Sequence, residues 1–198
     1  MDRKKAAWRS ALDATLRNTS AEHRTEWSRA IRRYLLDSAI WANARSVMLF
    51  AALKYEPDLL SLAGAAGGRR IAFPAMENDR IVARLVHSAA DLTAGPHGIR
   101  EPSPAQCQEM PVAEIDLVLV PGLGFAADGT RLGRGRGHFD RFLGGLSADA
   151  VLCGVCFACQ LQPSLPSEPH DIRMNHILTE HGFSSLDRRK ERVMNAAP

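Results

Sequence analysis

The chain has 198 residues, 45% of them hydrophobic and 24% charged, which is enough for one domain with a sizeable core and unlike a disordered composition. Its net charge of +3 and pI near 8.8 suit anionic ligands but fall short of the concentrated basic footprint of a nucleic-acid binder. No stretch is long and apolar enough to span a bilayer, and the opening MDRKK lacks the apolar run of a signal peptide, so a cytoplasmic protein with four reduced cysteines is expected.

In chain order, residues 4–16 carry Ala7, Trp8, Ala11, Leu12 and Leu16 at helical spacing, and Ser20 has the chemistry of an N-cap for a second helix. That helix sets Trp27, Ala30, Ile31, Tyr34 and Leu35 on one face. Short apolar runs at 46–50, 70–73, 115–120 and 151–157 end in turn signals, as buried strands do. Helices are expected at 57–66 and 138–146 and in the charged tail after Ser184. The proline- and glycine-bearing stretch 88–111 reads as one long loop, and 187–198 as a solvated helix end or frayed tail. Strands interleaved with helices predict a single three-layer α/β domain over 1–198 with a mostly parallel central sheet.

The segment richest in chemistry is PGLGFAADGTRLGRGRGHFDR, residues 121–141. It follows the clearest strand and runs into a helix. Gly133, Gly135 and Gly137 allow close backbone approach, while Arg134, Arg136 and Arg141 supply cationic donors, a combination suited to a polyphosphate. It is neither a Walker loop nor a dinucleotide fingerprint, because no G-K-[ST] ending and no G-x-G-x-x-G follows the strand. Cys153, Cys156 and Cys159 are spaced C-x-x-C-x-x-C, but residues three apart on a strand point to opposite faces, so they read as small core residues and not as a metal site. His170 and His176 lack a third ligand. Trp8, Trp27 and Trp41 read as packing residues.

Taken whole, residues 121–141 resemble the signature P-G-x-A-F-x-x-x-G-x-R-L-G-x-G-x-G-Y-Y-D-R of the 5-formyltetrahydrofolate cyclo-ligase family, also called methenyltetrahydrofolate synthetases. The resemblance extends to K-x-x-W-R at 5–9, G-I-R-E-P at 98–102, G-V-C-F-A-C-Q at 154–160 and L-P-S-E-P-H-D at 165–171, in the family's order. It implies ATP held by Gly133, Gly135 and Gly137 with Arg134, Arg136, His138, Phe139, Asp140 and Arg141, and by Lys5 and Arg9 at i and i+4 on one helix. It implies magnesium (Mg2+) at Asp140 and Asp171, a folate contact at Glu56, whose carboxylate suits an amino-pyrimidine edge, and further folate contacts at Gln160 and His138. Lys5, Arg141 and His138 are the implied catalytic residues.

The expected reaction uses ATP to convert 5-formyltetrahydrofolate into 5,10-methenyltetrahydrofolate, ADP and phosphate, with no membrane or nucleic-acid partner and no oligomeric state indicated. The chain departs from the family where paired tyrosines become His138 and Phe139. That departure keeps a second reading open, a catalytically altered paralogue that retains anion binding in a regulatory or interaction role.

Overall fold

A computed structural model describes residues 2–65, 67–95, 98–184 and 186. The chain opens with three helices, α1 (Asp2–Arg17), α2 (Ala21–Leu36) and α3 (Ala39–Asn43). Ser20 caps α2 as its chemistry predicts, its side chain accepting from the His23 N–H, and Ser38 does the same for α3 through Trp41.

Seven strands form the main sheet in the order β12-β11-β9-β6-β1-β2-β3. Their ranges are β1 Ser46–Met48, β2 Arg70–Glu77, β3 Arg80–Leu85, β6 Leu117–Pro121, β9 Val151–Val155, β11 His176–Thr179 and β12 Gly182–Ser184. The inner pairings are parallel, and only the two edges, β2 with β3 and β11 with β12, are antiparallel. The mostly parallel central sheet is therefore present. Its inner strands are continuously apolar because both faces are covered.

The pleat divides the core. Leu117 and Leu119 join a cluster with Leu12, Leu16, Ile31 and Leu35 from α1 and α2, whereas Val118 and Val120 join Met110, Phe125 and Phe142 on the other face. Phe142 belongs to α4 (His138–Leu143), so helices lie on both sides of the sheet in three layers. Cys153 packs into the first cluster and Cys156 into the second, as strand alternation requires. Burial pushes both thiols above their ordinary values.

Three expectations need correction. Residues 57–66 contain a single 3₁₀ segment, Leu60–Gly64, in place of an α-helix. Leu59 and Leu62 are buried at the three-residue period of that tighter helix, and Asp58 Oδ1 accepts from its first N–H, that of Leu60. The long loop at 88–111 contains a 3₁₀ turn, Ala89–Asp91, closed by a capping box from Ser88, and a hairpin of β4 (Leu92–Ala94) and β5 (Arg100–Pro102). Strand β2 continues past 73 through Pro74, beyond the last residue that β1 pairs, so the ladder on that side has already ended. The tail helix expected after Ser184, and the frayed end at 187–198, lie outside the described residues except for Ser184 and Leu186. Among the described residues, no helix is long and apolar enough to cross a membrane.

Chain order fixes where a ligand can enter. From β1 the sheet grows one way to β2 and the other way to β6, so the switch point lies between β1 and β6, beyond their carboxyl ends. A small sheet of β7 (Gly124–Ala126), β8 (Arg131–Leu132) and β10 (Leu161–Gln162) seals the β6 side.

Gly154 shows how closely this seal is packed. A Cβ on it would lie 2.4 Å from the Phe125 ring. Gly154→Ala is expected to lower unfolding stability by about 1–3 kcal/mol through overpacking, read as a reduced urea midpoint. A wild-type midpoint would contradict this packing account.

Candidate active site

A cavity of about 630 Å³ opens at the switch point. Phe50 and Ala51, which follow β1, and Pro121 and Gly122, at the end of β6, line its floor. Pro74, Met76 and Ile81 from the β2–β3 hairpin, with Ile99, form an apolar wall. The opposite wall is polar and consists of residues 131–140 with Lys5, Arg9, Glu168, His170 and Asp171.

Arg131 organises the polar wall. It lies on β8 with its side chain 4% exposed and donates to the Pro121 carbonyl at 3.2 Å and to Asp140 Oδ1 at 2.7 Å. Its guanidinium also covers the Phe139 ring at 5.7 Å. One side chain thereby ties the end of β6 to the start of α4. Its Nε is buried without a hydrogen-bond partner. From the sequence, Arg131 was placed within the 121–141 segment and assigned no ligand contact. The signal available was a charged residue in a short, otherwise buried strand.

The glycines do steric work. A Cβ at Gly133 would meet the Arg131 guanidinium at 3.0 Å, and one at Gly135 would meet that of Arg9 at 3.2 Å. Gly135 also has φ 102°, a conformation that side-chain-bearing residues rarely adopt. Arg9 Nε donates to the Gly133 carbonyl at 3.0 Å, which locks α1 to the loop.

Lys5 is one turn away on the same helix. Its side chain is 7% exposed, and its Nζ donates to Asp171 at 2.8 Å and to Glu168 at 2.9 Å. Glu168, which sequence reasoning missed, is the glutamate of L-P-S-E-P-H-D, three residues before Asp171. Among the described residues, Glu168, His170 and Asp171 are the group whose ligand atoms converge, all within 4.8 Å of one another. His176 lies elsewhere, on β11, edge-on to Phe183.

Other residues singled out from the sequence fall into two groups. Glu56, Arg134, Arg136, Gly137, His138, Phe139 and Asp140 all line the cavity. Glu56 is 8% exposed and already engaged, Oε1 accepting from Arg134 at 3.0 Å and Oε2 from the Leu53 N–H. His138 Nε2 lies 2.9 Å from Asp79 Oδ1. The others stand back from the cavity. Arg141 braces the loop from outside, donating to the Arg136 and Asp79 carbonyls. Gln160 is fully buried and does not line the cavity. Its Nε2 donates to the Gly122 and Leu123 carbonyls while its Oε1 accepts from the Phe157 N–H. These bonds give Gln160 a shaping role, holding the cavity floor in place.

The Lys5 cluster is an electrostatic tether. Burial would lower the Lys5 ammonium, but its hydrogen bonds to Asp171 and Glu168 outweigh it and raise its pKa. Burial would raise Asp171, yet Lys5 and the Glu168 N–H hold it below its ordinary value. Glu168 is lowered chiefly by its bond to Lys5.

The signs fix the pH window. The lowered carboxylates contribute stability fully above their unfolded values near ~4, and it is lost as pH falls through the folded values. Raised Lys5 contributes below ~10.4, and its share is lost as pH rises through its folded value. Melting temperature is therefore expected to hold across neutral pH and to fall below about pH 4. Asp171→Asn should flatten that acid limb, and an acid limb parallel to wild type would contradict the tether.

Comparison with known proteins gives the family of the chain and its fold. Residues 1–180 match the model of the 5-formyltetrahydrofolate cyclo-ligase family. A 5-formyltetrahydrofolate cyclo-ligase from Mycolicibacterium smegmatis is 32% identical over 184 residues, covering 89% of this chain and 94% of the relative. One from Mus musculus is 25% identical, covering 91% and 96%. The solution structure of Aquifex aeolicus 5,10-methenyltetrahydrofolate synthetase superposes with a TM-score of 0.83 at 28% identity, over 92% of each chain. The synthetase from Mycoplasma pneumoniae, at 18% identity and a TM-score of 0.72, covers 89% of this chain and 98% of its own and shares the fold.

Proposed function

The chain belongs to the 5-formyltetrahydrofolate cyclo-ligase family and is a ligase, and from that premise we propose that it converts 5-formyltetrahydrofolate to 5,10-methenyltetrahydrofolate with ATP and magnesium, releasing ADP and phosphate. The observation that carries the reading is the two-sided cavity. Its apolar wall of Pro74, Met76, Ile81 and Ile99 suits a flat pterin, and its polar wall of glycines and guanidinium groups suits a polyphosphate.

In this reading the formyl oxygen attacks the γ-phosphorus and ADP leaves. The neighbouring folate nitrogen then attacks the formyl carbon and gives up its proton, and the bond from that carbon to the phosphorylated oxygen breaks to release phosphate. The formyl group itself supplies the nucleophile, so the protein's work is positioning and charge neutralisation. Gly133, Gly135 and Gly137 let the polyphosphate approach the backbone, while Arg9 and Arg131 hold the loop in place. Lys5 offers its ammonium to the phosphates from a tethered position. Glu56 exchanges Arg134 for the amino-pyrimidine edge, which presents a similar pair of donors.

The acidic side chains fit a magnesium ion, which takes oxygen ligands and needs only one or two carboxylates beside phosphate and water. Asp171, whose carboxylate converges with Glu168 and His170, and Asp140, which lines the same cavity with Oδ1 on Arg131, would hold it. Magnesium supplies charge neutralisation at the phosphate oxygens.

The test follows methenyltetrahydrofolate absorbance with 5-formyltetrahydrofolate, ATP and magnesium, omitting each in turn. Product that depends on all three supports the reading. Folded, ATP-binding protein that forms no product overturns it in favour of an altered paralogue. Lys5→Ala is expected to lower kcat/KM on the order of 100-fold. Wild-type turnover in that variant would remove Lys5 from the mechanism.

A further inference from the structure

The β2–β3 hairpin contributes to both sides of the cavity. Its strands supply Pro74, Met76 and Ile81 to the apolar wall, and its tip carries Asp79 to the glycine loop. The tip is a two-residue turn, with Glu77 paired to Arg80 and with Asn78 and Asp79 at φ 48° and 61°. Asn and Asp tolerate that conformation, so the turn alone explains the residue type but not what Asp79 touches.

The contacts come from a single short segment far along the chain. Asp79 Oδ1 lies 2.9 Å from His138 Nε2, and its Oδ2 lies 3.5 Å from Arg141 Nη2. The Asp79 carbonyl accepts from Arg141 Nη2 at 3.3 Å, while Nη1 of the same guanidinium donates to the Arg136 carbonyl at 3.2 Å. One arginine thus joins hairpin tip and glycine loop through two carbonyls. A carboxylate only accepts hydrogen bonds, so His138 donates from Nε2 in this pair, which orients the ring. The His138 side chain is 17% exposed although the Asp79 side chain is 81% exposed.

Surface ion pairs contribute little to stability, so a contact of this kind is poorly explained as a fold-stabilising device. We propose that Asp79 is a positioning residue that clasps the folate-facing hairpin to the nucleotide-facing loop and orients His138. The identities of the two ligands rest on the cyclo-ligase reading, whereas the clasp itself rests on the contacts. Because the hairpin wall and the loop meet at Asp79, loss of the clasp weakens both halves of the site together.

The experiment uses Asp79→Gly, which accepts the turn's positive φ without strain and removes the carboxylate, and Asp79→Asn, which keeps an acceptor. Asp79→Gly is expected to lower kcat/KM about tenfold for both ATP and 5-formyltetrahydrofolate at an unchanged melting temperature. Asp79→Asn should recover to within about threefold of wild type. In a His138→Phe background the Asp79→Gly loss should shrink to about twofold or less. Wild-type kinetics in Asp79→Gly, or the same loss in both backgrounds, overturns the proposal. Amide hydrogen exchange at 133–137 in the ligand-free protein tests the clasp without turnover, with faster exchange expected in Asp79→Gly and unchanged exchange overturning it. If wild-type protein forms no methenyl product, the cyclo-ligase reading fails, and the exchange measurement still decides the clasp.

Discussion

A pocket built for a polyanion must hold several cations close together, and cations removed from water need partners. This chain meets that constraint by giving four of the cations around the cavity an acceptor. Arg131 is held by Asp140 and the Pro121 carbonyl, Lys5 by Asp171 and Glu168, Arg134 by Glu56, and Arg9 by the Gly133 carbonyl. The arrangement of α1, the glycine loop and the loop at 165–171 follows from these pairings, since those of Lys5, Arg9 and Arg134 join segments far apart in the chain. Arg131 matters most because it is the most enclosed of the arginines so paired and links the end of β6 to α4.

The scaffold supplies the position of the site. The sheet reverses its growth between β1 and β6, which leaves a crevice beyond their carboxyl ends, and the residues that follow both strands line it. Gln160 holds the Gly122 and Leu123 carbonyls, so the floor beyond β6 is fixed by a side chain that never reaches the cavity. The β2–β3 edge then projects past β1 to wall one side. The proposed chemistry needs two ligands held in register and no protein nucleophile, and a rigid crevice with one apolar and one charged wall meets that need.

Much of the fold was legible because its inner elements obey simple periodicities. The apolar stripe of α1, the Ser20 cap and the apolar run that became β6 each gave a local signal that tertiary packing reinforced. The missed elements were those whose partners lie elsewhere. Strand β3 has a half-exposed, mixed sequence, and only the Asn78-Asp79 turn marked it. β4, β5, β7, β8 and β10 are two or three residues long, too short to show a period. In the site, the glycine loop was readable from composition, and family resemblance drew attention to Lys5, Arg9 and Glu56. Glu168 and Asp79 were not readable, because each acts through a contact across the fold, and the only signal for Arg131 was a charged residue in a strand too short to show a period. Gln160 shows the reverse case, a residue marked by its motif whose hydrogen bonds are all turned inward.

The central claim is that the formyl oxygen of the substrate is itself phosphorylated, with the protein only positioning the two reactants. The most direct measurement follows that atom, using 5-formyltetrahydrofolate carrying oxygen-18 in its formyl group, with ATP and magnesium, and mass analysis of the released phosphate. The account predicts one labelled oxygen in each phosphate formed. Unlabelled phosphate, with the label lost to water, would contradict it.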